Sequence, residues 1–188
     1  MRSDKSYLRK KFILLRKRNF SKKKKFKFDL IFRIIKKHFL NKKIVIAGYY
    51  PANYEVNILN FIEEADAKNF LVTLPVIESK NKLSFRLWKY KEPLFINNFG
   101  ILEPKNTNKA MVPDLLLVPL VAFDSKLNRI GYGKGYYDRV LNKIKSRNKK
   151  MIALGIAYSF QKCIHIPTNK HDFKLDYIFT DRGIISSS

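Results

Sequence analysis

Two apolar strand-like runs with a helix-like stretch between them constrain this chain more than any other feature. Residues 42–50, "KKIVIAGYY", form a short apolar run. Residues 55–67, "EVNILNFIEEADA", place Val56, Leu59, Ile62 and Ala65 on one side of a helix, and residues 68–77, "KNFLVTLPVI", are apolar again. Strand, helix and strand within about 35 residues make a crossover, which is almost always right-handed and joins parallel strands. Residues 114–123, "DLLLVPLVAF", are apolar almost throughout, as expected of a strand covered on both faces. "KLSFRLW" alternates like a strand, "NNFGILEP" reads as loop, and "MIALGIAY" and "DYIFTD" read as two last strands. The pattern predicts one layered α/β domain over residues 1–188, with a mostly parallel central sheet flanked by helices.

The first 43 residues predict a basic helical part of that domain. One helix is expected over about residues 4–18, with Tyr7, Leu8, Phe12 and Leu15 on one face. A second is expected after Ser21 as N-cap, with Phe28, Ile31, Phe32, Ile35 and Phe39 on a stripe. The lysines at 22–25 would face the positive end of the helix dipole, so they are expected to be frayed or in a loop. A last helix is expected from about Tyr136 to Lys145, with Val140, Leu141 and Ile144 inward.

The net charge is +24, and residues 1–43 carry 18 of the 39 Lys and Arg with only Asp4 and Asp29 as acids. Such a balance fits nucleic-acid binding. It fits AT-rich coding equally well, because the excess is mostly lysine and comes with many Asn, Ile and Phe. Nucleic acid is therefore not the expected partner, although a basic RNA-binding protein with an inactive enzyme-like domain stands as the rival reading. The single cysteine, Cys163, rules out an intramolecular disulfide. The longest apolar run near the start is "FILL", too short for a signal-peptide core or a membrane span. The expected setting is the cytoplasm, without a membrane.

"NRIGYGKGYYDRVL", residues 128–141, follows the strand at 115–123 and leads into the last helix. Gly131, Gly133 and Gly135 alternate, so successive amides can turn toward one anion at a helix N-terminus, with Lys134 adding a charge. The spacing fails the dinucleotide and Walker A patterns, and a plain structural turn is the competing reading. Asp138 is either a magnesium ligand or a first-turn acid favoured by the dipole.

Taken with its neighbours, "PDLLLVPLVAFDSKLNRIGYGKGYYDRVL" resembles the signature of the 5-formyltetrahydrofolate cyclo-ligase (methenyltetrahydrofolate synthetase) family. "KSYLR", "YYPANYEVN", "NFGILEP" and "IPTNKHDFKLDYIFT" resemble further motifs of that family in the same order, over nearly the full length. The resemblance implies a single α/β domain and an ATP- and Mg²⁺-dependent conversion of 5-formyltetrahydrofolate to 5,10-methenyltetrahydrofolate. It implies ATP contacts at Lys5, Arg9, Arg129, Gly131, Tyr132, Gly133, Lys134, Gly135, Tyr136 and Tyr137. Substrate contacts are implied at Arg9, Tyr50, Glu55, Tyr132, Gly133, Lys134, Gly135 and Tyr136. Lys134 and Arg129 are the implied catalytic residues. Asp138 and Asp172 are the implied Mg²⁺ ligands, with Asp176 competing for the second place. His165 and His171 have no metal spacing and are left to structure. Trp88 and Phe85 are either pocket lining or core. The chain departs from the family at two positions: Tyr132 stands where an arginine is usual, and Leu120 where a glycine is. Arg129, Lys134 and Arg139 are the expected substitutes for the missing cation.

Overall fold

The computed structural model describes residues 4–20, 24–40, 42–80 and 82–186. Ser21 and the lysines at 22 and 23 lie outside them. Helix α1 spans Lys5–Asn19 and buries Leu8, Phe12 and Arg16, a stripe with steps of four. Tyr7, expected inward, is exposed, and the third place on the stripe belongs to an arginine. Helix α2 spans Asp29–Phe39 and buries Ile31, Ile34, Ile35 and Phe39. Lys24 and Lys25 precede it in non-helical chain.

Among the described residues the central sheet has eight strands, in the order β12-β11-β10-β7-β1-β2-β3-β6. The middle five, β11 (Tyr177–Thr180), β10 (Ile152–Ile156), β7 (Leu115–Pro119), β1 (Val45–Ala47) and β2 (Leu71–Ser79), are parallel neighbours. At the edges, β3 (Lys82–Leu87) pairs antiparallel with β2, β6 (Ala110–Met111) with β3, and β12 (Gly183–Ser186) with β11. The predicted crossover is present: β1, helix α3 (Leu59–Ala67) and β2 in parallel register. Helix α3 begins later than expected, so Val56 and Ile58 are buried ahead of it, and Phe61, Ile62 and Ala65 face inward from it.

Alternation along β7 divides the core. Leu115 and Leu117 pack with α2 and α3 on one face, while Leu116 and Val118 pack with Leu141 and Ile144 of helix α4 (Tyr136–Arg147) on the other. Helix α1 closes a third cluster, Leu8 and Phe12 against Val121, Ala122, Ile130 and Ile166.

The apolar run at 114–123 is not one strand. It breaks after Pro119, and Ala122–Phe123 (β8) pairs instead with Arg129–Ile130 (β9) in a separate hairpin. "NNFGILEP" likewise contributes to a small hairpin, β4 (Phe95–Ile96) with β5 (Leu102–Glu103). Leu120 sits at the break and is buried, with its side chain over Gly155: a Cβ there would lie 2.8 Å from Leu120 Cδ2. The bulk added at this position is thus taken up by the core.

From β1 the chain moves to β2 on one side and returns to β7 on the other. The carboxyl ends of β1 and β7 therefore flank a topological switch point, where open α/β sheets bind ligands.

Candidate functional site

The hairpin after β7 is tied by Asp124, which is 1% exposed. Its Oδ1 accepts from the amides of Lys126 and Asn128, and its Oδ2 from Asn128 Nδ2 and the Ile166 amide, at 3.0 to 3.1 Å. Beyond the hairpin, Gly133 (φ 97°) and Gly135 (φ 66°) take left-handed backbone that side chains resist. Among the described residues, the amides of 131–135 enter no backbone hydrogen bond. The first bond of helix α4 runs from the Arg139 amide to Gly135 O at 3.1 Å, and among the described residues no side chain caps the helix. The amides of Tyr136, Tyr137 and Asp138 are thus also outside the ladder. A run of donors unpaired among the described residues, at the positive end of a twelve-residue helix, can cradle an anion.

Helix α1 supplies cations to this cradle. Arg9 Nε donates to Gly131 O at 2.8 Å, and its guanidinium lies against Gly133, where an added Cβ would be 3.1 Å from Arg9 Cζ. Lys5 is ion-paired with Asp172, whose Oδ2 also accepts from the Asn169 amide at 2.6 Å. Arg129 is buried and donates to Asp138 Oδ1 and to Phe173 O, both at 2.6 Å. Asp138 Oδ1 further accepts from the Phe173 amide at 3.1 Å. Lys134 is exposed, with Nζ 3.3 Å from the centre of the Phe99 ring. Tyr136 is half-buried beside the Arg139 guanidinium.

Across the switch point, the segment after β1 presents Glu55. A tight turn closes from the Glu55 amide to Ala52 O at 2.9 Å, with Asn53 (φ 48°) and Tyr54 (φ 62°) both left-handed. Asn tolerates that conformation, whereas Tyr does so at a cost that the surroundings must offset. One offset is the Glu55 carboxylate, whose Oε2 accepts from the Ala52 amide at 2.9 Å. Its Oε1 accepts from the Tyr132 hydroxyl at 2.8 Å. That hydroxyl in turn accepts from Arg16 Nη2, while Arg16 Nη1 donates to Leu120 O at 3.1 Å. Burial pushes the Glu55 pKa up, and the Ala52 amide, the Tyr132 hydroxyl and the Arg16 charge pull against it.

Two buried polar atoms here have no partner among the described residues: the Tyr137 hydroxyl and Arg16 Nε. Orphaned buried polar groups are rare and mark places where a ligand or water completes the site. Burial, with the Glu55 charge nearby, raises the Tyr137 pKa, so its hydroxyl remains a neutral donor.

The fold brings several of the expected residues into contact with one another. Arg9 is bonded to the glycine loop, Arg129 to Asp138 and Lys5 to Asp172 in separate contacts, and Glu55 joins that loop through Tyr132. Tyr50 is half-buried on the same segment as Glu55. Trp88 and Phe85 are core residues, and the Trp88 indole donates to Glu92 O at 3.0 Å. Asp176 accepts from the Ala153 amide at 2.8 Å and pairs with Lys145, near the start of β10 and away from the cradle. His165 and His171 are exposed.

The cation bonded to the Tyr132 hydroxyl is Arg16, a residue that the sequence reading did not single out. Its place on the Leu8 and Phe12 stripe was the available signal, hidden by the crowd of basic residues around it.

Among the described residues no group of three or more His, Cys, Asp or Glu is placed to hold a metal ion. Asp138 Oδ2 and Asp172 Oδ1 are the carboxylate oxygens outside the bonds above. Two hard oxygens suit Mg²⁺ if substrate oxygens and water fill its other positions. An open cavity of about 470 Å³, lined by residues such as Leu87, Lys89, Phe95 and Lys105, shares none of the cradle residues.

A doubly wound α/β sheet with free-facing amides and a buried carboxylate at its switch point has the layout in which α/β enzymes place their ligand sites. The profile of the 5-formyltetrahydrofolate cyclo-ligase family matches residues 1–181, and the chain belongs to that family. It is 38% identical over 136 residues to the 5-formyltetrahydrofolate cyclo-ligase of Haemophilus influenzae, covering 69% of this chain and 72% of that one. The solution structure of Aquifex aeolicus 5,10-methenyltetrahydrofolate synthetase superposes with a TM-score of 0.76 at 30% identity, over 97% of this chain and 92% of that one. The corresponding synthetase of Mycoplasma pneumoniae gives 0.72 at 26% identity, over 95% and 99%. The expected enzyme class and the expected α/β fold are both borne out. Among the described residues no helix is long and apolar enough to cross a membrane.

Proposed function

We propose that this chain, working as one domain in the cytoplasm, uses ATP and Mg²⁺ to close 5-formyltetrahydrofolate to 5,10-methenyltetrahydrofolate. The observation that carries the phosphate part is the row of amides from Gly131 to Asp138, at the start of α4, that meet no backbone acceptor among the described residues. A formamide oxygen is a poor leaving group. Transfer of the terminal phosphoryl of ATP to that oxygen, releasing ADP, makes it a good one. The nitrogen 10 lone pair then attacks the formyl carbon, and the nitrogen 5 lone pair expels phosphate. Loss of the nitrogen 10 proton leaves the methenyl bridge. Such chemistry rests on positioning and charge neutralisation and needs no protein nucleophile.

In this reading the cradle amides and Lys134 hold the transferred phosphoryl, and Lys5 and Arg9 reach the nucleotide phosphates from α1. Arg129 serves by fixing Asp138 and the Phe173 backbone, since its guanidinium is bonded inward. Glu55 accepts hydrogen bonds from the amino and ring N–H groups of the pterin, contacts worth about 1.5 to 3 kcal/mol when charge-assisted. Tyr50, Tyr132 and Tyr136 border the substrate. Asp138 and Asp172 would hold Mg²⁺, which supplies charge neutralisation on the nucleotide.

Purified protein mixed with 5-formyltetrahydrofolate, Mg²⁺ and ATP should show rising near-UV absorbance of the methenyl product, and a flat trace without ATP. Lys134→Ala should cut turnover strongly while leaving the protein folded. Turnover that is independent of ATP would sink the reading.

A further inference from the structure

Arg16 is 1% exposed, and among the described residues no carboxylate lies within ion-pair reach of it. A guanidinium buried without compensation is costly. Its partners are a carbonyl, Leu120 O, and the Tyr132 phenol, whose ring centre lies 5.5 Å from Arg16 Cζ. Compensation comes from one hydroxyl away, at Glu55. Tyr132 Oη carries one proton. Because it accepts from Arg16, that proton is directed at Glu55 Oε1, 2.8 Å away.

We propose that Arg16 is a positioning residue for Glu55: it anchors Tyr132, commits the phenolic proton to the carboxylate, and ties the glycine loop to the side of the site that takes a reduced pterin. The inference rests on the functional reading above.

A direct arginine–glutamate pair would hold Glu55 in a strong, charge-assisted bond. A phenol in between keeps the carboxylate oriented by a neutral donor, which pterin N–H groups can join or displace. The groups facing Glu55 are Tyr49 after β1, Tyr132 in the glycine loop, Tyr137 at the start of α4, and Arg16 on α1. The phenols stay neutral near pH 7, so Arg16 is the charge in this set that favours ionised Glu55. Without it, burial raises the carboxyl pKa further, and the ionised acceptor is lost as pH falls from a higher starting point.

The test uses the full chain, with Arg16→Met, Arg16→Lys and Tyr132→Phe, and with Lys17→Met on the exposed side of α1 as control. Calorimetry gives the Kd for 5-formyltetrahydrofolate without ATP, and kinetics give the KM for each substrate across neutral and acidic pH. Arg16→Met should weaken folate binding roughly ten-fold and leave the ATP KM within about three-fold, as expected when one charge-assisted contact is lost. The acid limb of kcat/KM for folate should move up by about one pH unit. Tyr132→Phe should move both readouts the same way, and Arg16→Lys should restore part of each.

Folate Kd and acid limb unchanged in folded Arg16→Met would overturn the proposal. So would equal weakening of both substrates with a fixed acid limb, the sign of a merely structural role. If Arg16→Met does not fold, Tyr132→Phe, which removes one hydroxyl, decides by the same two outcomes. A wild-type protein that binds no 5-formyltetrahydrofolate refutes the functional reading itself; binding by wild type and variants alike refutes the Arg16 role alone.

Discussion

Lys134 Nζ lies 3.3 Å from the centre of the Phe99 ring, so the tip of the β4–β5 hairpin holds the one lysine of the glycine loop. To meet a phosphate, that ammonium has to leave the ring. A cation–π contact at an exposed site is worth about 0.5 to 1 kcal/mol. Phe99→Ala should therefore tighten binding of a non-hydrolysable ATP analogue by roughly two- to five-fold. Calorimetric titration of the two proteins is the check; weaker binding by the variant would mean that Phe99 holds Lys134 in its working position.

The three alternate glycines should respond differently to alanine. Gly131 has ordinary φ and nothing within 4 Å of an added Cβ, whereas Gly133 and Gly135 are left-handed and an added Cβ would meet Arg9 or Arg139. Forcing a side chain into left-handed backbone costs about 1 to 2 kcal/mol. Gly133→Ala and Gly135→Ala should lower Tm by roughly 2 to 6 °C, and Gly131→Ala by less than about 2 °C. Thermal melts of the three variants separate the positions, and equal shifts would contradict the assignment.

The central crossover was legible because each segment is bounded by a change in polarity and shows its own period. The break at Leu120 was not. "LLLVPLVAF" has no polar residue to mark where one strand stops and another starts. What ends β7 is tertiary: Val121 and Ala122 leave the sheet to meet Leu8 and Phe12 of α1. Strand β12 was missed for a similar reason, since four residues carry too little pattern to be read alone.

The same contrast holds in the site. Gly133, Gly135 and Lys134 stand out because alternate glycines before a helix are a local pattern that fits either an anion site or a tight turn. Arg16 does not stand out among 39 Lys and Arg; its place on the Leu8 and Phe12 stripe speaks for burial, but nothing local brings Tyr132 beside it. The left-handed pair Asn53 and Tyr54 was equally hidden, because the Glu55 carboxylate and the turn support each other only once folded.

Asp124 should matter to the cradle without touching a ligand. Its two oxygens satisfy four donors, and it shapes the hairpin from which the glycine loop emerges. Asp124→Ala leaves those donors short of an acceptor, so the expected loss is about 3 kcal/mol. Urea unfolding should show a lower midpoint with a similar slope. A midpoint shift below about 0.5 kcal/mol equivalent would show that water replaces the carboxylate.

Asp138 and Asp172 should share an effect on magnesium and differ in their effect on stability. Each has one carboxylate oxygen outside the hydrogen bonds described, and removing either as an anion should raise the Mg²⁺ needed for half-maximal activity about ten-fold, with turnover partly recovered at high Mg²⁺. Their protein partners are unlike. Asp172 pairs with Lys5 at a partly exposed site, with side chains 26% and 22% exposed, so Asp172→Asn should cost less than about 1 kcal/mol. Asp138 answers Arg129, whose side chain is 3% exposed, and breaking such a pair from one side costs about 3 kcal/mol or more. Magnesium titration of activity, paired with thermal melts, therefore reads two different patterns from two aspartates. An unchanged magnesium requirement in both variants would remove them as ligands, whatever happened to Tm.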